Sequence, residues 1–146
     1  MHRLIYTSTA TRLLPKDELH KLMNSARRYN ADARITGLLL YHEGCFLQVL
    51  EGEKDAVEAC YKRICKDGRH TDYIQLANEA TTHRLFSAWW MAFREFSELG
   101  AYQRKQFVEL RDLATRADAA PMVDNLKVNA ILLAFLASFR DLELTA

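Results

Sequence analysis

This sequence of 146 residues has no large excess of charge of either sign. Its 20 lysines and arginines are balanced by 19 aspartates and glutamates, for a formal net charge of +1. Because proteins bind nucleic-acid phosphates through concentrated positive charge, this balance argues against a DNA or RNA partner.

Cysteine is also scarce. Cys45, Cys60 and Cys65 form no CxxC pair and lack zinc-site spacing, so we expect no metal site and no disulfide framework. Such thiols suit a reducing cytosol.

Long apolar runs are absent too. The longest, residues 130–137, falls well short of the roughly 20 residues that a membrane span needs. The opening residues, MHRLIY, do not match a signal peptide. The sequence therefore predicts a cytoplasmic protein without a membrane segment. The 49% of hydrophobic residues that it does contain can fill one compact core without disulfides.

Apolar periodicity predicts the order strand, helix, strand, strand, helix, strand, with one further strand after it. The predicted strands are residues 3–9, 36–41, 45–51, 73–78 and 88–93, and the helices run from 15 to about 30 and from about 55 to 67. This order predicts an α+β protein of the ferredoxin-like class, βαββαβ(β), with two helices on one sheet face. Right-handed crossovers place the third strand between the first and second, antiparallel to both.

Two more helical segments follow Gly100. The second, residues 126–139, is apolar on nearly every side, and a helix of this kind must be covered. We expect these two C-terminal helices to cap the free face of the sheet, to contact a second copy of the protein, or to do both.

Alternation along the two central strands places Tyr6 and Gln48 on the same face. Gln48 is an amide between apolar Phe46 and Leu50, and leaving it unpaired in a core would cost about 1–3 kcal/mol. The Tyr6 hydroxyl is the natural partner. From these residues alone, the pair is either a structural hydrogen bond that fixes strand register or part of a functional site.

Five segments together resemble the BLUF family, which are blue-light sensors that use FAD. They are RLIYTS at 3–8, Asn30 followed by ITGLL at 35–39, FLQVLEG at 46–52, DGRH at 67–70 and WWM at 89–91. The resemblance extends over about residues 1–93. Each segment alone is weakly specific, but five at the family's spacing form a specific pattern.

The resemblance implies that FAD lies between the two helices, above the sheet, without a covalent bond. Tyr6 matches the family's electron and proton donor, and Gln48 the glutamine that bridges this tyrosine to flavin N5 and the C4 carbonyl. Asn30 matches the asparagine that binds the C4 carbonyl and N3–H. A side-chain amide suits this edge because it offers both a donor and an acceptor.

Four further positions match cofactor-binding positions of the family. Arg69 matches an arginine near the C2 carbonyl, and His70 a histidine that packs beside it. Arg63 and Asp67 occupy positions that contact FAD in relatives. Without the resemblance, Arg69 and His70 would be interpreted as a solvated turn, and Arg63 as part of an exposed basic helix face.

The implied mechanism is light-driven electron and proton transfer from Tyr6 through Gln48. The rearranged amide strengthens a hydrogen bond to the C4 carbonyl and shifts the absorption slightly to the red. Trp89 and Met91 match the pair that passes this change to the C-terminal region. No net reaction occurs, so we expect a photoreceptor and not an enzyme.

We therefore expect a flavin-binding domain at residues 1–97 and, at 98–146, a helical cap that serves signalling or oligomerisation. Because no output domain follows, we expect a homodimer or larger assembly that acts on a separate effector protein. Two residues depart from the family pattern: Arg34, where relatives usually have glycine or another small turn residue, and Trp90, where relatives often have a smaller residue.

Two other functions fit parts of the pattern. RRM domains, which bind single-stranded nucleic acid, share the βαββαβ order, but the third strand lacks their aromatic motif. A small flavin-dependent enzyme could use the same pocket, although Tyr6 and Gln48 would occupy the edge where a substrate must lie.

Overall fold

A computed structural model describes residues 1–86, 92–114 and 126–138. The elements are β1 (His2–Ala10), α1 (Lys16–Asp32), β2 (Thr36–His42), β3 (Cys45–Gly52), α2 (Lys54–Cys65), β4 (His70–Ala80), β5 (Ala92–Glu95), α3 (Ala101–Ala114) and α4 (Leu126–Ala137). A short 3₁₀ turn, Phe96–Glu98, follows β5. The predicted α+β class and element order are confirmed.

The five strands form one mixed sheet in the order β4-β1-β3-β2-β5. β3 lies between β1 and β2 and is antiparallel to both, as predicted, whereas β5 joins the edge parallel to β2. In the register of β1 with β3, Tyr6 lies directly opposite Gln48. The two residues therefore meet in the centre of the sheet.

Local sequence explains the turns that set this register. Glu43 and Gly44 both have positive φ, at 49° and 80°, which is the two-residue hairpin conformation that suits the twist of β2 and β3. Arg34, in the connection from α1 to β2, has a φ of 56°. This left-handed conformation favours glycine, so the departure from the family pattern at Arg34 has a conformational cost.

Buried side chains form one cluster on each face of the sheet. α1 and α2 cover the first face, where Leu4, Tyr6, Phe46 and Leu50 are buried. α3 and α4 cover the second face, whose strands contribute Ile5, Leu38, Leu40, Leu47 and Val49. The predicted capping by the C-terminal helices is confirmed. Contact with a second copy stays a prediction.

A buried carboxylate fixes the chain beyond β4. Glu51, at the end of β3, is fully buried and accepts hydrogen bonds from the backbone N–H groups of Leu85 and Phe86 at 2.9–3.1 Å. The Arg3 guanidinium pairs with the same carboxylate at 3.1 Å. The backbone just before residue 87 is thereby attached to the end of the sheet.

The structure differs from the sequence prediction in several places. β4 begins at His70, three residues earlier than expected, so His70 lies in a strand and not in a solvated turn. His42, at the end of β2, is half-buried, and its ring stacks on Phe96 with centroids 3.7 Å apart. Most of the predicted fifth strand, with Trp89, Trp90 and Met91, lies outside the described residues.

Within the described ranges, no helix is long and apolar enough to cross a membrane. The same part of the chain contains no cluster of histidine, cysteine, aspartate or glutamate side chains that could hold a metal ion.

Candidate functional site

A cavity of about 210 Å³ lies between α1 and α2, above the centre of the sheet. All seven residues expected to bind the cofactor line it, namely Tyr6, Asn30, Gln48, Arg63, Asp67, Arg69 and His70. The remaining lining residues are Leu22, Ser25, Ala26, Leu39, Cys60, Ile64 and Lys66. The fold therefore brings residues from four parts of the sequence to one place.

Tyr6 and Gln48 form the floor of this cavity. The Tyr6 hydroxyl donates a hydrogen bond to Gln48 Oε1, and both side chains are almost fully buried. Burial raises the pKa of Tyr6 well above its usual range, so the phenol keeps its proton at physiological pH. The rings of Tyr61 and Tyr73 lie 5.2 and 6.1 Å from the Tyr6 ring and help to exclude water.

Asn30 reaches the cavity from the last turns of α1. Its side chain is 1% exposed, and its Oδ1 accepts a hydrogen bond from Cys60 Sγ at 3.6 Å. Within the described part of the chain, the Asn30 amide nitrogen has no hydrogen-bond partner. Asn30 is not the helix cap, which is Ala33. This amide therefore brings an unused donor to the cavity.

Asp67 and Arg69 form an ion pair at one end of the cavity. The Asp67 carboxylate accepts hydrogen bonds from Arg69 Nε at 2.9 Å and from its terminal nitrogen at 2.6 Å. The bonds from Arg69 hold the pKa of Asp67 below its usual range and raise the pKa of Arg69. Arg69 thus lies beside the cavity with its charge balanced by Asp67.

His70 closes the same end from the start of β4. Its Nδ1 lies 3.0 Å from Ser8 Oγ, and its ring packs against Phe46 with centroids 4.5 Å apart. Burial lowers the pKa of His70, so its imidazole is uncharged at neutral pH. An uncharged ring in contact with Phe46 can pack against a planar ligand without adding charge.

Arg63 extends from α2 to a ring on α1. Its guanidinium carbon lies 3.6 Å from the centroid of the Tyr29 ring, which belongs to α1. The predicted exposure of Arg63 on a basic helix face is correct, but this position is also a cavity position. Tyr29 did not stand out in the sequence, because a tyrosine on a helix is usually a packing residue.

The spacing of residues in α1 and α2 could have identified further cavity-lining residues that were not predicted from the sequence. Leu22, Ala26 and Asn30 lie four residues apart, so they share one face of α1. Arg63 and Ile64 follow Cys60 by three and four residues, so these three share one face of α2. Counting back by four from Asn30 finds the apolar wall of the cavity. The predicted relay residues Trp89 and Met91 lie outside the described residues.

Comparisons with known proteins agree on one family. The family model described as "BLUF: Sensors of blue-light using FAD" matches residues 1–92. The chain is 42% identical over 87 residues to the photoactivated adenylate cyclase subunit beta of Euglena longa. That match covers 60% of this chain and 10% of the relative, so the chain spans only about a tenth of the relative's length.

Solved structures are similar over a larger share of the chain. The dark-state structure of BlrB, a BLUF protein, has a TM-score of 0.73 at 26% identity, covering 94% of this chain and 95% of that one. Klebsiella pneumoniae BlrP1 with FMN and cyclic diGMP has a TM-score of 0.65 at 27% identity, covering 93% of this chain and 34% of that one.

Proposed function

The chain belongs to the BLUF family of blue-light sensors, and on that basis we propose that it binds FAD non-covalently and that Tyr6 and Gln48 carry out its photochemistry. The observation that carries this proposal is the buried hydrogen bond from Tyr6 to Gln48 on the floor of a cavity. A hydrogen bond that only fixed strand register would not need a cavity beside it.

The residues that line the cavity fit an isoalloxazine ring. Leu22, Ala26, Leu39 and Ile64 supply apolar contacts for a flat ring. Asn30 adds an amide whose nitrogen has no partner among the described residues, which suits the donor and acceptor edge of the ring. Specific ligand sites combine apolar walls with a few placed polar groups in this way.

When bound, FAD supplies absorption of blue light and an electron acceptor. Tyr6 would be the electron and proton donor, and its phenolic proton would move toward Gln48 Oε1, the atom to which the hydroxyl already donates. Because burial keeps the pKa of Tyr6 high, its proton is in place at the start. The Gln48 amide would rearrange and change the donor that it presents to the cavity, and both the electron and the proton would return to Tyr6.

Signalling requires an element that amplifies this small change. A rearranged hydrogen bond is worth roughly 0.5–1.5 kcal/mol, whereas reversing a 1:99 equilibrium requires about 5.5 kcal/mol. We assign the amplification to the region 98–146, whose helices α3 and α4 pack on the far face of the sheet. Trp89 and Met91 are the proposed relay to it.

We also propose that the protein is a homodimer or larger assembly, acts in the cytoplasm on a separate effector, and is not itself an enzyme. Larger relatives join the same domain to an effector, as the name of photoactivated adenylate cyclase indicates. The three cysteines are free thiols, which suits a reducing compartment.

The RRM alternative requires an open sheet face with exposed aromatic rings. Tyr6 and Phe46, the candidate rings, are both fully buried beneath α1 and α2. The far face is covered by α3 and α4. The burial of both faces argues against a nucleic-acid surface on this sheet.

Absorption spectra of the purified protein with FAD test the proposal. Blue light should shift the flavin band slightly to the red, and darkness should reverse the shift without any substrate. Tyr6→Phe should bind flavin and lose the shift, because no phenolic proton remains. Tyr102→Phe, at a tyrosine that is 60% exposed on α3, is the matched control and should keep it. A shift that survives in Tyr6→Phe would contradict the mechanism, and a protein that binds no flavin would contradict the function.

A further inference from the structure

Two residues of α2 form a short chain of hydrogen bonds with Asn30 on α1. The Arg63 side chain donates a hydrogen bond to the Cys60 thiol, and Cys60 Sγ donates one to Asn30 Oδ1 at 3.6 Å. Cys60 and Asn30 are each 1% exposed, and all three residues line the cavity. The chain therefore leads from an arginine, through a thiol, to a buried amide.

The chemistry of arginine fixes the direction of the hydrogen bonds in this chain. A guanidinium has donors and no acceptor, so the thiol proton of Cys60 cannot point toward Arg63. Among the described residues, Asn30 Oδ1 is the oxygen that accepts this proton. Burial raises the pKa of Cys60, so the thiol keeps its proton at physiological pH. If the Asn30 amide were turned over, the thiol proton would lose its acceptor.

An amide held in this way presents a defined edge to a ligand. With Oδ1 directed at Cys60, the Asn30 nitrogen is a donor that no described residue uses. A ring carbonyl of the ligand can accept a hydrogen bond from it. In the opposite orientation the amide oxygen would face that carbonyl oxygen, and two acceptors repel each other.

We propose that Cys60 is a positioning residue that holds the Asn30 amide in the orientation that offers its N–H to a carbonyl of the flavin ring. The inference rests on the proposed function, since it concerns the ligand of the same cavity. An apolar residue at position 60 would fill the space and leave the amide free to turn over. Cys60 therefore acts through Asn30, and Arg63 orients the thiol.

Infrared spectra of the full chain test the hydrogen bond itself. The S–H stretching band of Cys60 is identified as the band that Cys60→Ser removes, since Cys45 and Cys65 are unchanged. Donation to an oxygen lowers the frequency of such a band. The Cys60 band should therefore rise in frequency in Asn30→Ala and stay low in Asn30→Asp, which keeps an oxygen acceptor. A band that did not respond to Asn30→Ala would overturn the proposal.

Titrations with FAD and riboflavin test the effect on ring recognition. Cys60→Ala should raise Kd for both flavins about two- to tenfold, because one neutral hydrogen bond orients the amide. Both flavins contain the same ring, so the two losses should be equal. Cys60→Ser replaces the methyl hydrogen lost in Cys60→Ala by a hydroxyl donor of small size, and it should recover most of the affinity. Equal losses in the two variants would mean that the thiol only fills space, which would overturn the assignment.

The Asn30→Ala background separates positioning from packing. Because Cys60 acts through Asn30, Cys60→Ala should cause no further rise in Kd when Asn30 is already alanine. A further rise as large as in the unmodified background would contradict the proposal while leaving flavin binding established. If the unmodified protein bound neither flavin, the proposed function itself would fail.

Discussion

The two faces of the sheet are built for different purposes, although both are buried. In the middle of the far face, the strands present apolar side chains, Ile5, Leu38, Leu40, Leu47 and Val49, against α3 and α4. The near face places Tyr6 and Gln48 at the same level of the sheet and leaves a cavity above them. Each strand contributes side chains to both faces, because successive side chains point in opposite directions.

The difference shows how a small domain combines rigidity with a reactive site. A close-packed face holds the strands in register, since every apolar contact there resists displacement. The cavity face gives up some packing in order to hold polar groups with defined partners, such as Ser8 with His70. The far face therefore stabilises the positions of groups that it does not touch.

The largest expected effect comes from replacing Gln48, the buried amide of the near face, and tests whether the red shift requires it. Gln48→Leu should still bind flavin and should lose the reversible red shift completely, because leucine can neither accept the proton of Tyr6 nor rearrange. Absorption spectra before and after blue light measure this effect. Retention of the shift would show that Gln48 is only a structural partner of Tyr6.

A matched control exists on the other side of the sheet. Gln106, in α3, is also buried, and its Oε1 has no hydrogen-bond partner among the described residues. Gln106→Leu should keep the red shift, and its free energy of unfolding should be equal or slightly higher, because an unsatisfied acceptor is removed. Loss of the shift in this variant would break the distinction between the two faces.

The second prediction compares two neighbouring leucines of β2. Leu40 packs in the far core, and Leu39 lines the cavity. Leu40→Ala should lower the free energy of unfolding by roughly 3–5 kcal/mol, since it opens a new void in a closed core. Leu39→Ala should cost about 2–3 kcal/mol in the flavin-free protein, because it enlarges a space that already exists. Urea denaturation of both variants measures the difference.

Flavin provides the second half of this test. Leu39→Ala should weaken flavin binding, because it removes part of the apolar wall, while Leu40→Ala should leave the Kd nearly unchanged in protein that is still folded. Equal costs of unfolding together with equal flavin affinities would mean that the cavity face is packed like the far face.

Much of the fold follows from the sequence because apolar periodicity and topology restrict it strongly. Alternation in β1 and β3 predicts that Tyr6 and Gln48 share a face, and the right-handed crossover rule makes the two strands neighbours. Together the two rules predict that Tyr6 and Gln48 lie close enough to form the hydrogen bond on the cavity floor. The additional site residues came from family resemblance, because Arg69 and His70 next to a helix end have no periodicity of their own.

The remaining features depend on contacts that no local pattern encodes. The His42 ring stacks on Phe96, more than fifty residues later, and also meets the edge of Phe107. Arg34 keeps its left-handed backbone while its carbonyl accepts a hydrogen bond from Arg84 at 2.8 Å. Tyr29 contacts a residue of the cavity because α2 places Arg63 above its ring. Each case needs the coordinates of a residue distant in sequence.

Alkaline titration gives the smallest effect and compares the aromatic residues of the two faces. The near face gathers Tyr6, Tyr61 and Tyr73, whereas the far core has phenylalanines such as Phe107. Burial raises the pKa of Tyr61 and Tyr73 to about 12, and that of Tyr6 well above its usual range. Tyrosinate absorbance should therefore show a group of tyrosines that ionise late in the folded protein.

The sign of the stability change follows from these raised pKa values. Below the unfolded pKa of about 10, both states keep the phenol of Tyr6 protonated, so its contribution does not vary with pH. Above that value only the unfolded chain ionises, and stability falls by up to about 1.4 kcal/mol per pH unit for Tyr6. Tyr6→Phe should make the fall less steep in urea denaturation at pH 9 to 11. A fall as steep as that of the unmodified protein would mean that the cavity floor admits water, and the near face would then lack the dry environment that its hydrogen bond requires.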